Sequence, residues 1–151
     1  MVTPSPEALT FIRSQRIARL ATADASGQPH AVPVCFVYDG ERFFSAIDQK
    51  PKKSPPLGLK RIRNILNNKK VALVLDRYRE QWDQLAYLMI EGNAGIIESG
   101  PPHERAIGLL REKYSQYANM SFTLAPVIEI TPHKFIQWGA VGFQQASEEG
   151  P

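Results

Sequence analysis

Leu85-Ala-Tyr-Leu-Met-Ile-Glu-Gly-Asn-Ala-Gly-Ile-Ile-Glu-Ser99 reads as one long strand with Gly92 and Gly95 inside it. Glycine in a strand interior marks a bulge or a sharp bend. A long strand that bends curls its sheet, and a strongly curled sheet closes into a barrel. Upstream, Lys70 to Arg77 holds the continuous apolar run Val-Ala-Leu-Val-Leu, the pattern of a strand buried on both faces. A polar connection from Tyr78 to Gln84, containing Trp82, joins the two.

Further upstream, Ile17 to Asp24 reads as a strand with small residues at Ala18, Ala21 and Ala23. The turn Ala25-Ser-Gly-Gln28 leads into a second strand, Pro29 to Tyr38. Asp39-Gly40 is a two-residue hairpin signal, and Arg42 to Ile47 returns as a third strand. Pro33 has no N–H for a ladder, so its strand belongs at an edge or a bulge. Downstream, Ser99-Gly-Pro-Pro102 opens a helix to about Tyr117, with Ile107, Leu110, Tyr114 and Tyr117 on one face. Pro126 to Trp138 is the last strand. At the N-terminus, Ser5 before Pro6 is an N-cap signal for a short helix ending near Arg16, with Leu9 and Ile12 on its inner face. Successive hairpins make the sheet antiparallel. The expected fold is mainly β with α, a six-stranded antiparallel barrel with flanking helices, formed by residues 1–143 and followed by a polar tail at 144–151.

A hydrophobic content of 43% with 22% charged residues excludes wholesale disorder. The formal charge of +3 is concentrated between Lys50 and Lys70. The single Cys35 cannot form an internal disulfide, which points to a reducing, cytoplasmic home. No apolar run approaches the roughly 18 residues that a membrane span needs. No N-terminal basic and apolar signal pattern is present.

The basic stretch is Lys50-Pro-Lys-Lys-Ser-Pro-Pro-Leu-Gly-Leu-Lys-Arg-Ile-Arg-Asn-Ile-Leu-Asn-Asn68, a proline-stiffened loop running into a short helix. A helix start offers free N–H groups and positive dipole, so Lys60 and Arg61, with Lys52 and Lys53 before them, make a place for phosphate. Other chemistries lack their signatures. His30, His103 and His133 lie on separate elements without partners at metal-ligand spacing. There is no Gly-x-Ser-x-Gly elbow, no P-loop and no Gly-x-Gly-x-x-Gly. Cys35 in an apolar strand reads as packing. A flat aromatic ligand with a phosphate tail suits what is left. Its ring would lie on the edges formed by Val32, Pro33, Val34 and Cys35 and by Ser45, Ala46 and Ile47. Trp82 or another indole, or Tyr87 from a second subunit, would close the site.

These residues form an ordered series: Ile17-Ala-Arg-Leu-Ala-Thr-Ala-Asp, Gly27-Gln-Pro-His, Pro33-Val-Cys-Phe, Asp39-Gly, Lys50-Pro-Lys, Leu59-Lys-Arg-Ile-Arg-Asn-Ile-Leu-Asn-Asn, Lys70-Val-Ala-Leu-Val-Leu-Asp, Trp82 and Glu91-Gly-Asn-Ala. Over about Ile17 to Trp138 the chain resembles the pyridoxamine 5′-phosphate oxidase-like, split-barrel flavin/deazaflavin oxidoreductase family. The resemblance implies an FMN-binding split barrel, a homodimer with two interface sites, and FMN or the deazaflavin coenzyme F420 as cofactor. Lys50-Pro-Lys and Trp82 are more similar to the F420-dependent branch. The resemblance puts the family's basic phosphate pair at Lys60 and Arg61 and its cross-subunit residue at about Tyr87. A strand arginine of the oxidases corresponds to about Ala31, and no arginine follows Trp138, which departs from a pyridoxamine oxidase.

The expected function is hydride transfer between a flavin-type cofactor, F420 before FMN, and a small conjugated acceptor. The alternative is a non-catalytic flavin, haem or tetrapyrrole carrier on the same barrel. A single-stranded nucleic-acid binder is a third option, but the basic stretch from Lys50 to Lys70 holds no aromatic residue on which bases could stack.

Overall fold

The computed structural model describes residues 2–47, 58–122 and 125–143. The sequence-based expectations for Lys50, Lys52 and Lys53 and for the tail at 144–151 fall outside these. Helix α1 (Pro6–Ser14) starts where expected, with the Ser5 hydroxyl accepting from the Ala8 N–H at 3.1 Å. Its buried face is Ala8, Phe11 and Ile12, with Leu9 packed alongside. Strands β1 (Ala18–Ala23), β2 (Pro29–Val34), β3 (Val37–Tyr38) and β4 (Phe43–Ala46) follow. Then come helix α2 (Lys60–Asn67), β5 (Lys70–Arg77), β6 (Ala86–Ile97), helix α3 (Pro101–Lys113) and β7 (Val127–Gly139). Short 3-10 turns occupy Trp82–Gln84 and Ser115–Asn119. No helix among the described residues is long and apolar enough to cross a membrane.

All strand pairs are antiparallel, in the order β2-β1-β5-β6-β7-β4-β3. The outermost strands β2 and β3 are joined through only Cys35 and Phe36, so the sheet curls until its two edges come within two residues of each other. This is the split barrel, with seven strands where six were expected. The extra strand arises because Pro29 to Tyr38 breaks at Cys35-Phe36. There the backbone leaves β1 and its polar groups turn to α3 and the residue after it. The Phe36 N–H donates to the Tyr114 hydroxyl at 2.9 Å, and Lys113 Nζ donates to the Phe36 carbonyl at 2.9 Å. The same hydroxyl lies 2.8 Å from the Arg16 carbonyl. Burial pushes the Tyr114 phenol up to about 12 and the Lys113 ammonium down to about 8. Tyr114→Phe leaves the Phe36 N–H without its acceptor inside the protein, so it should cost about 1–3 kcal/mol in chemical denaturation.

The curl comes from Gly92. The β6–β7 register slips between Glu91 and Gly92: Glu91 faces Lys134 while Gly92 faces Pro132, leaving His133 as the extra residue. A Cβ on Gly92 would meet the Thr131 carbonyl oxygen at 2.5 Å. Gly95 has open space around it, and the β6–β7 register runs through it without a shift. A hairpin forms at Asp39-Gly40, but its two-residue turn is Gly40-Glu41, one residue later than expected, because the Asp39 N–H donates to the Arg42 carbonyl at 3.1 Å. The Asp39 carboxylate accepts from the Glu41 and Arg42 N–H groups, and Gly40 takes φ 100°.

One core fills the barrel: Leu20, Leu73, Leu75, Leu88, Ile90 and Ile130, closed by Phe11 and Ile12 of α1 and by Ile62 and Ile65 of α2. Each such side chain contributes roughly 1.5–3 kcal/mol on burial. A second core lies on the other side of β4 and β7, where Ala106, Ile107 and Leu110 of α3 meet Phe44, Ala46 and Val127. The helical face expected from Ile107 to Tyr117 is buried throughout, although α3 ends at Lys113. Strand β5 departs from expectation. Only Val71, Leu73 and Leu75 are buried, whereas Ala72 and Val74 alternate onto a half-exposed outer face.

Candidate functional site

That outer face carries the candidate site. Strand register sets two rows across it: Pro33, Arg19, Val74, Met89 and Ile136, then Ala31, Ala21, Ala72, Glu91 and Lys134. Side chains alternate across a strand, so these residues point away from the barrel core. Small residues in the second row leave room for a flat group. At the end of β5 and β6 the Tyr87 and Trp138 rings stack, with centroids 5.8 Å apart and planes 19° apart. Both are open to solvent, Tyr87 at 38% and Trp138 at 53% exposure. A groove of about 510 Å³ runs between this pair and Val74, Met89 and Tyr78.

Helix α2 sits at the opposite end of the strands. Its first residue is Lys60, its N-cap Leu59 supplies no side-chain cap, and no acid occupies its first turn. The leading N–H groups and the positive end of the dipole are therefore open to an anion. Lys60 Nζ lies 3.6 Å from the Asp24 carboxylate. Asn64 on the buried side of α2 donates to the Thr22 hydroxyl at 3.0 Å and fixes the helix against β1. Arg61 follows Lys60 half-buried, with its Nε withdrawn from solvent. The way along β1 from Asp24 to Arg19 is about 17 Å at ~3.4 Å per residue. The basic start of α2 and the aromatic end are thus separated by the length of one strand.

Asp24 is held down to about 2, first by the Ser26 hydroxyl, then by the Gln28 and Ser26 N–H groups, with Lys60 contributing last. A lowered carboxyl stabilises the fold above its ordinary value near 3.8, and that contribution disappears as pH falls through about 2. Asp24→Asn should therefore flatten the loss of thermal stability between these two pH values, as read by circular dichroism.

The sequence-predicted residues separate. Pro33 lies on the outer face and Trp82 is exposed in its turn at 72%. Tyr87 joins Trp138 there. Val32 packs against the barrel core and Val34 is buried in it. Cys35 is half-buried beside the α3 core, and Ser45, Ala46 and Ile47 are all buried. Ala21, one of the small residues read on β1, lies in the second row, whereas the outer rows of β5 and β7 were missed. Their signal lay in alternate apolar positions of strands that also carry charge, such as Arg19 and Asp76, which pair at 3.1 Å. A cleft of about 610 Å³ at the aromatic end, lined by Arg16, Arg19, Arg77 and Arg79, was missed as well.

Known proteins resemble this arrangement. A 5a,11a-dehydrotetracycline/5a,11a-dehydrooxytetracycline reductase of Streptomyces rimosus subsp. rimosus is 29% identical over 135 residues, spanning 89% of this chain and 82% of the relative. The structure of HutZ, the haem storage protein from Vibrio cholerae, superposes with a TM-score of 0.68 at 18% identity, covering 91% of this chain and 95% of HutZ. An F420 reductase superposes with a TM-score of 0.64 at 19% identity, covering 88% and 98% respectively. These structural likenesses show the split-barrel fold. The pyridoxamine 5′-phosphate oxidase family pattern matches residues 4–139, nearly the whole described barrel, and it supports an oxidoreductase of the flavin type as the general class. With the fold and the matched span agreeing, this chain belongs to the pyridoxamine 5′-phosphate oxidase family.

Proposed function

We propose that the protein is a hydride-transfer reductase that holds coenzyme F420, with FMN as the next candidate, on its outer sheet face at the seam of a homodimer. The observation that carries this is the basic start of α2, without a side-chain cap from Leu59, at one end of a partly exposed sheet face whose centre holds the small residues Ala21, Ala31 and Ala72. The cofactor's phosphate meets Lys60, Arg61 and the first-turn N–H groups of α2, with Lys52 and Lys53 nearby in sequence. Its ring lies flat along β1 and β5, where Ala21, Ala31 and Ala72 leave room. A bound deazaflavin or flavin supplies the hydride chemistry itself. The protein's part is to tether the phosphate, set the ring and keep water from it. The exposed Tyr87 and Trp138 give a second copy something to cover, and the partner's ring closes the site. A small conjugated acceptor then lies against the cofactor. The Streptomyces relative is a dehydrotetracycline reductase, which supports acceptors of that kind.

Similarity to a haem storage protein supports the alternative of a tetrapyrrole carrier. Among the described residues, histidine does not occur in the two rows of the outer face and the buried His103 is 2.6 Å from the Ala125 carbonyl, so Met89 in the first row and the exposed His133 beside Lys134 are the haem ligands that this reading would call on. The test is a spectroscopic titration of purified protein with reduced F420, FMN and haem, followed by addition of quinone and nitroaromatic acceptors. Acceptor-dependent oxidation of bound F420 is expected. Tight haem binding with no oxidation of either flavin-type cofactor would make the protein a carrier.

A further inference from the structure

At the aromatic end of the sheet, the cleft between α1 and the ends of β1 and β5 is lined by four guanidinium groups and one carboxylate, Asp76. Its volume of about 610 Å³ suits a small ligand. Phe11, Tyr78 and Phe143 give it apolar walls. One of the four arginines is structural: Arg77 donates from Nε, Nη1 and Nη2 to the Gln84, Phe143 and Ala140 carbonyls. Arg16 gives one bond to the Lys113 carbonyl at 2.6 Å, and Arg19 meets Asp76 at 3.1 Å. A guanidinium carries five N–H donors in a planar fork, so these contacts leave Arg16 and Arg19 with donor capacity. The charges also crowd one another. Arg77 is lowered by burial and, after that, by the neighbouring charge of Arg79. A bound anion would relieve that crowding. The cleft is continuous with the aromatic groove, because Asp76, Arg77 and Tyr78 line both.

We propose that this cleft is an oxyanion pocket that takes the carboxylate of an acidic, flat acceptor, whose ring rests in the adjoining groove against Val74, Met89, Tyr87 and Trp138. This rests on the reductase reading for the word acceptor, and it narrows that reading to acidic substrates. It assigns the two ends of the sheet to two different anions: the cofactor's phosphate at α2, and the substrate's acid group a strand-length away. A planar carboxylate matches the guanidinium fork in two-point hydrogen bonding. A neutral ligand of the same shape would forgo that charge-assisted two-point bonding.

The probes are 2-naphthoate and its neutral isostere 2-naphthamide, titrated calorimetrically into the 151-residue protein. Naphthoate is expected to bind at least tenfold more tightly. Arg79→Gln and Arg19→Gln should each reduce that preference to less than threefold, and Arg79→Gln, at a position outside the two rows of the outer face, should keep FMN and F420 affinities within twofold of wild type. Equal binding of the two probes, or a preference that survives both substitutions, would overturn the proposal. So would a tenfold loss of FMN or F420 affinity in Arg79→Gln, which would give the cleft to the cofactor's phosphate instead. The titration involves no turnover, so it reads the cleft even in protein that binds neither cofactor. The oxyanion pocket and the reductase reading therefore fail separately.

Discussion

Replacing Lys60 and Arg61 together with alanine is expected to weaken FMN and F420 binding by about 2–4 kcal/mol. Charge-assisted contacts to phosphate contribute about 1.5–3 kcal/mol each, and part is retained because the first-turn N–H groups of α2 remain. That corresponds to roughly a thirtyfold to thousandfold rise in Kd. Lys60 is accessible enough to be lost without a hole in the core, since its side chain is 40% exposed and its partner Asp24 keeps the Ser26 and Gln28 bonds. The hydrophobic side of α2, Ile62 and Ile65, is untouched. Fluorescence or absorbance titration reads the affinity, and an unchanged far-ultraviolet spectrum shows that the helix has survived. Binding equal to wild type for both cofactors would remove the phosphate from α2.

Gly139→Ala is expected to produce the largest loss of stability of any single methyl addition. Gly139 ends β7 opposite Ala86 with φ 79°, a left-handed conformation that side chains resist. A Cβ there would also run into the Leu85 carbonyl oxygen, a backbone atom that cannot swing away. The neighbouring Ala140 N–H donates to that same carbonyl at 2.9 Å, so yielding would break a bond that closes the β6–β7 end. Conformational strain of about 1–3 kcal/mol adds to the clash. A total near 3 kcal/mol would lower Tm by about 6–12 °C in a domain of this size. Because Gly139 follows Trp138, the substitution should also disturb the Tyr87–Trp138 stack, and near-ultraviolet circular dichroism would report it. Gly95→Ala, with open space around its Cβ, is the matched control and should leave Tm within about 1–2 °C, as expected for a site without a specific mechanism of damage.

Much of the barrel was legible because its determinants are local. The interior glycine of Leu85 to Ser99 and the Ser5 cap each act within a few residues and appear in the structure, and the hairpin signalled at Asp39-Gly40 appears with its turn one residue later. The break at Cys35-Phe36 was not legible. It depends on a tyrosine hydroxyl 78 residues away in the chain, and nothing near Phe36 announces it. Strand β5 misled for a related reason. Its run of apolar residues looks buried on both faces, but here the outer half of that run, Ala72 and Val74, belongs to a face that this chain leaves uncovered. The same ambiguity hid the site. The edges expected to hold the ring, Val34 and Ser45 to Ile47, are apolar because they are core. The basic helix start was visible as a run of charge, whereas the arginine cleft was not. Arg16 and Arg19 come together with Arg77 and Arg79 only because β1 and β5 pair with Arg19 opposite Val74.

The proposal of a homodimeric cofactor site across the outer sheet face is tested most directly by native mass spectrometry of the protein titrated separately with FMN and F420. The expected spectrum is a dimer that takes up two cofactor molecules, with F420 retained at lower concentration than FMN. A monomer at every concentration, or a dimer that retains neither cofactor, would contradict it.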